Sequence, residues 1–146
     1  MTVSRIDRGS MGGALLYAAM SLLRRWLPVV VWAAVILSAS NDSFSSGESA
    51  RILAELLGDP VPYALNVAIR KLGHVVAYGI LGALAWRADR RVKVAFAIGL
   101  LIAALDEGKQ AMTLRRTGTL WDVLLDLFGA WLGVIAAKRV GKPASD

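Results

Sequence analysis

The 146-residue chain has no cysteine and a single histidine, His74. Without cysteine there is no disulfide, no thiolate metal site and no thiol nucleophile. One imidazole excludes two-histidine metal sites and any mechanism that needs a pair of imidazoles. Charge is scarce as well, at 19% of residues against about 25% in a soluble domain. No internal repeat or low-complexity tract is present. What fills the chain instead is apolar: 56% of residues are hydrophobic and mean hydropathy is +0.54. Such a chain is neither a disordered tail nor an ordinary soluble globule. It reads as one all-α, polytopic membrane domain.

The charge-free runs are 26–41, 72–86 and 94–105, with a fourth, 120–137, interrupted by Asp122 and Asp126. Each falls short of the roughly 18–20 apolar residues that cross a bilayer. Flanking Arg and Lys can snorkel to the interface, which extends the runs to 25–41, 69–87, 93–110 and 120–139. A soluble helix would need a polar stripe every 3.6 residues, and 94–105 has no polar residue on any face. About four transmembrane helices are predicted. Residues 1–24 read as a basic arm with a short apolar interfacial segment, cut from span one by Arg24 and Arg25. A fifth short span is the rival, and no cleaved signal peptide is expected. Residues 25–140 form the transmembrane domain and 141–146 a tail. Between spans one and two, Ile52, Leu53, Leu56 and Leu57 make one apolar face, with Arg51 and Glu55 paired four apart. That segment is predicted as an interfacial helix on the outer surface.

Orientation follows from the cations. The N-terminal arm, the loop at 87–93 and the C-terminal tail hold 11 of the 17 Lys and Arg, but three of the 11 Asp and Glu. Cytoplasmic segments are the ones rich in Lys and Arg. Both termini and the middle loop are therefore expected on the cytoplasmic side. Trp26, Trp86 and Trp121 fall at span ends, where interfacial tryptophan belongs.

On this topology the polar residues converge. Lys71, His74 and Tyr78 share one face at the outer end of span two. Asp106, Glu107 and Gln110 end span three on the same side. Asp122 and Asp126 begin span four, four apart, after Arg115 and Arg116 in the outer loop. Asp126 lies roughly 6 Å deeper than Asp122, and Tyr78 roughly 10 Å deeper than Lys71. A carboxylate near the bilayer centre costs about 2.5–3.5 kcal/mol, so these groups should face the bundle interior and pair. The plain alternative is a satisfied polar network that only fixes helix register. Gly79, Gly82, Gly129 and Gly133 read as close helix packing. Ser38, Ser40, Ser43, Ser45 and Ser46 could supply a nucleophile beside His74, though loop composition explains them equally well.

The ordered set Lys71-x-x-His74-x-x-x-Tyr78, Asp106-Glu107-x-x-Gln110 and Arg116-x-Gly118-x-x-x-Asp122, with Gly129 and Gly133, resembles the VanZ-like family of small bacterial membrane proteins. The resemblance covers about 26–137. It departs from the usual pattern at Lys109 (often His), Arg115 (often Gly) and Asp126 (often Asn). It implies a multi-span inner-membrane protein, with a link to teicoplanin resistance through a named member, and it implies no established reaction. Nothing in the chain forms a nucleotide or coenzyme A site.

The combined expectation is a pocket, open to the outer face, that binds or acts on an anionic lipid or lipid-linked envelope precursor. His74, Asp106, Glu107 and Asp122 are the candidate catalytic residues. Two adjacent carboxyls, Asp106 and Glu107, suit an acid and a base; His74 orients or shuttles a proton. Lys71 and Arg116 would hold the anionic head group, with Tyr78, Gln110 and Asp126 completing the binding set. A scaffold whose polar cluster only fixes packing is the alternative. No cofactor or metal is called for, although Asp106, Glu107, Asp122 and Asp126 would suit Mg²⁺ or Ca²⁺. Nucleic acid is not expected as a partner, since cations flanking spans account for the high pI, and the oligomeric state stays open. Sidedness is testable because the chain lacks cysteine. In intact cells a membrane-impermeant thiol reagent should label a single cysteine at Thr113 and spare one at Asp89; the reverse pattern would invert the topology.

Overall fold

A computed structural model describes residues 8–39, 46–58, 62–111 and 120–141. These residues form five helices and no strand. In chain order they are α1 (Arg8–Ala39), α2 (Ser46–Leu57), α3 (Tyr63–Asp89), α4 (Val92–Ala111) and α5 (Leu120–Val140). At 1.5 Å per residue α3 is about 40 Å long and α5 about 32 Å, against a hydrocarbon core of about 30 Å. Gly12–Ala39, Tyr63–Asp89 and Leu120–Val140 are each long and apolar enough to cross a membrane. The segment expected as the remaining span is a 20-residue helix, α4. Its apolar stretch is confined to 94–105, because Asp106, Glu107 and Lys109 occupy its last turns.

One expected boundary is absent. The pair Arg24 and Arg25 does not separate an interfacial arm from span one; a single 32-residue helix runs through both arginines and past Pro28. Arginine is a good helix former. A charge pair ends a hydrophobic run without interrupting backbone hydrogen bonds, so the hydropathy boundary is not a structural one. Residues 1–7 of the expected arm and 142–146 of the expected tail lie outside the described residues.

The centre of the bundle is the α3–α5 pair, which the contacts show to be parallel: Val75 meets Gly129, and Gly79 meets Gly133. A Cβ on Gly133 would overlap the Gly79 carbonyl, and one on Gly82 the backbone of Ala130. Glycine is required at both, since backbone stands where a side chain would go. Helices in lipid associate by this kind of close approach. The antiparallel α4 closes the third side, burying Ala95, Ile102 and Ala103. α1 adds Val29 and Ile36 to the core and ties itself to α3 through Trp32 Nε1, which donates to the Ala77 carbonyl at 2.8 Å.

The connections are tight where they are described. α2 ends at Gly58, whose φ of +76° needs no Cβ, and its N–H reaches the Ala54 carbonyl at 2.9 Å. The expected Arg51–Glu55 pair closes at 2.6 Å on its exposed face. Leu53 and Ala54 are half-buried, whereas Leu56 is exposed. α3 ends on Arg90, a left-handed residue with φ of 63° whose N–H bonds to the Trp86 carbonyl. That conformation costs a non-glycine residue of order 1 kcal/mol; the guanidinium recovers part of it by lying 4.4 Å over the Trp86 ring.

The outside of this bundle is apolar. Leu15, Leu22, Val30 and Val31 on α1, Leu72 and Val76 on α3, Leu101 on α4 and Phe128 on α5 are all exposed. Such a surface is stable against lipid chains and not against water. The glycine contacts carry a direct test. Gly133→Ala should lower the thermal midpoint of the detergent-solubilised protein by roughly 5–10 °C. Gly73→Ala, which opens onto free space, should change it by less than about 2 °C. Equal effects would mean that the α3–α5 contact is not what holds the bundle.

Candidate functional site

Because α3 and α5 run parallel and α4 antiparallel, the first half of α3, the start of α5 and the end of α4 lie at one level. This is where the sequence concentrates its polar residues. Lys71 and His74, one turn apart on α3, face Asp122 and Asp126, one turn apart on α5. The outer rung is loose: Lys71 Nζ is 3.9 Å from Asp122 Oδ1, with both side chains partly exposed. Partly exposed pairs of this kind contribute little, typically under about 1 kcal/mol. The inner rung is closer, with His74 Nδ1 at 3.1 Å from Asp126 Oδ1. Asp126 is 0% exposed, so this contact decides the geometry. It also leaves the His74 Nε2 side of the ring for other work.

Tyr78, one turn deeper on α3 and fully buried, stacks nearly parallel to the His74 ring, with centroids 6.4 Å apart. From α4, Asp106 is 0% exposed and Glu107 is buried beside it. Glu107 lies within electrostatic reach of Asp122, Asp106, Asp126 and His74. The expected neighbours His74, Glu107 and Asp122 therefore belong to one cluster. Gln110 ends the same helix, with its side chain outside the described residues. Arg115 and Arg116 lie outside them too, as do the serines at 40, 43 and 45.

Tyr78 hydrogen-bonds with the Asp126 carboxylate, whereas both oxygens of the buried Glu107 have no hydrogen bond among the described residues. Buried polar atoms are nearly always satisfied, which makes the open Glu107 carboxylate the feature of this cluster that calls for explanation. One donor grouping is compact enough to hold a cation: single ligand atoms of His74, Asp106 and Asp126 lie within 4.8 Å of one another. It differs from the all-carboxylate set considered from sequence, because His74 joins it and Glu107 and Asp122 do not.

Three contacts were not singled out in the sequence. Asn66 is buried on the first turns of α3 and accepts a 3.0 Å hydrogen bond from Ser49 Oγ of α2. A lone Asn near the start of an apolar span is itself a signal, because only a partner makes it affordable there. Lys109 turns away from the cluster and donates to the Leu37 carbonyl at 3.0 Å. It satisfies an open carbonyl at the end of α1 and ties α4 to that helix. Trp32 does the same between α1 and α3.

Exposed apolar faces and three helices of spanning length define a polytopic helical membrane protein. The chain belongs to the VanZ/LLP1 family, whose sequence model matches residues 21–141. No match was found among curated proteins or solved structures.

The inner rung should behave as one energetic unit. In a double-mutant cycle of His74→Ala and Asp126→Ala, unfolding of the solubilised protein is expected to give a coupling of about 1–3 kcal/mol. Additive effects, within about 0.5 kcal/mol, would remove the 3.1 Å contact from the account of the site.

Proposed function

We infer that this VanZ-like protein binds or acts on an anionic lipid or lipid-linked amphiphile of the cell envelope, at the polar end of α3, α4 and α5. The carrying observation is a buried Glu107, whose two oxygens have no hydrogen bond among the described residues, beside a closed His74–Asp126 pair. A network that served packing alone would satisfy its own atoms, since each one left open in a low-dielectric interior costs about 1–3 kcal/mol. The exposed apolar faces of α3 and α5 beside the cluster suit a substrate whose chains remain in the bilayer.

In this reading Lys71 attracts the head group from the exposed rim, with Arg116 supplying further positive charge. His74, held by Asp126, carries a proton at its other ring nitrogen. Asp106 and Glu107 act as acid and base, Asp122 positions Lys71, and Tyr78 and Gln110 offer neutral hydrogen bonds. The reading extends to an inner-membrane location with both termini cytoplasmic, which opens the cluster toward the envelope. It also extends to a contribution to teicoplanin resistance, by altering or shielding a surface component.

Glu107→Gln keeps the shape and hydrogen-bonding capacity of the side chain while removing an acid or base. Cells overproducing the wild-type protein should differ in envelope lipid profile from cells with Glu107→Gln, while both proteins fold and retain the same amphiphile on purification. Lys71→Ala should retain roughly tenfold less of it. Identical lipid profiles for wild type, Glu107→Gln and empty cells would reject turnover, and undiminished retention by Lys71→Ala would reject head-group binding.

A further inference from the structure

A second feature lies at the opposite end of the bundle, about 20 Å along α3 from His74 to Arg87. A cavity of about 540 Å³ opens there between α1 and α3. Its walls carry four arginines, Arg24 and Arg25 from α1 with Arg87 and Arg90 from the end of α3, over an apolar base that includes Leu84. The one carboxylate in the wall, Asp89, is engaged by Arg91, with Nε and Oδ1 3.2 Å apart. The cavity thus has a large surplus of positive charge in a space of ordinary ligand size.

We propose that this cavity binds the phosphodiester head group of an anionic phospholipid, at a site separate from the polar cluster. Guanidinium groups match phosphate oxygens in pairs, and basic pockets between membrane helices recognise such head groups. The arginines are placed by the fold rather than by span-flanking charge alone. Arg24 and Arg25 sit inside a continuous helix, which fixes them over α3. Arg90 is held by its left-handed turn and by stacking on Trp86, and its Nη1 stands 3.3 Å from where a Cβ on Gly141 would be. Lys93, Lys138 and Arg139 are cations at the same end that take no part in the cavity. A lipid, rather than a soluble phosphate, is favoured by the adjoining surface of α1. Leu27, Val30 and Val31 are exposed just beyond the arginines and give acyl chains an apolar track leading away from the head group.

The test uses the full-length protein in neutral detergent, with bound lipid counted by native mass spectrometry. The probes are phosphatidylglycerol, phosphatidylcholine and soluble glycerol phosphate. Wild-type protein should retain one phosphatidylglycerol in preference to phosphatidylcholine, and millimolar glycerol phosphate should not displace it. Arg24→Gln with Arg87→Gln should weaken retention roughly 30-fold, from the usual worth of two basic side chains near anionic lipid. Lys93→Gln with Lys138→Gln removes the same charge outside the cavity and should retain lipid as wild type does. Should the arginine pair fail to fold, Arg25→Gln alone should still weaken retention severalfold. Equal losses in the arginine and lysine pairs, or no preference over phosphatidylcholine, would overturn the proposal. Displacement by glycerol phosphate would overturn its lipid source.

Discussion

Close backbone contact between α3 and α5 is the constraint on which the rest of the molecule depends. With Gly82, Gly129 and Gly133 at the crossing, there is no room for a side chain between the two helices. That contact sets their register, and the register brings Lys71 to Asp122 and His74 to Asp126. A larger residue at any of these glycines would separate the helices by the width of a methyl group or more. A 3.1 Å contact one or two turns away does not survive such a shift. Packing and polar chemistry are thus one device in this bundle, because the glycines set the distance at which the ionisable groups meet.

The remaining helices act on that pair from outside. α4 brings Asp106 and Glu107 to the level of His74 only because the two-residue turn after α3 is so short that the chain reverses at once. Arg90 makes this possible by taking up a left-handed conformation that glycine would normally supply. Trp32 and Lys109 each spend a side-chain N–H on a backbone carbonyl of a neighbouring helix. The Trp32 bond is part-buried, where little water competes for the donor, and the Lys109 bond is exposed at the polar end; together they fix how α1 leans on the bundle.

Most of this was legible in the sequence because it depends on two local signals. Apolar length marks the helices, and the periodic placement of rare polar residues marks which ends of them meet. Positions 71, 74 and 78, with 122 and 126, fall on single helix faces whatever the fold's details. The continuity of α1 was not legible: hydropathy falls at Arg24 and Arg25, while backbone hydrogen bonding does not respond to hydropathy. The role of Lys109 was hidden for another reason. It stands within two residues of Glu107 and beside Gln110 in sequence, while its partner Leu37 is 72 residues away, on a helix whose lean no local pattern specifies. Asn66 could have been found, since a polar residue in the first turns of an apolar helix demands a partner, but Ser49 could not have been named as that partner.

The two ends of the bundle differ in charge, and the layer between them explains why they stay independent. Between Tyr78 and Trp86, α3 carries only Gly, Ala, Ile and Leu. The facing stretch of α4 has no polar residue, and α5 from 127 to 137 offers only the indole of Trp131, which is exposed to the outside. Leu81, Ala85, Ala103 and Val134 fill the interior at that level. Among the described residues there is therefore no chain of polar groups along which an ion or proton could pass from one end to the other. A transport path would need one. Under the proposed function, the His74-containing cluster would exchange ligand and protons at its own end of the bundle, and the proposed arginine site would do so at the other.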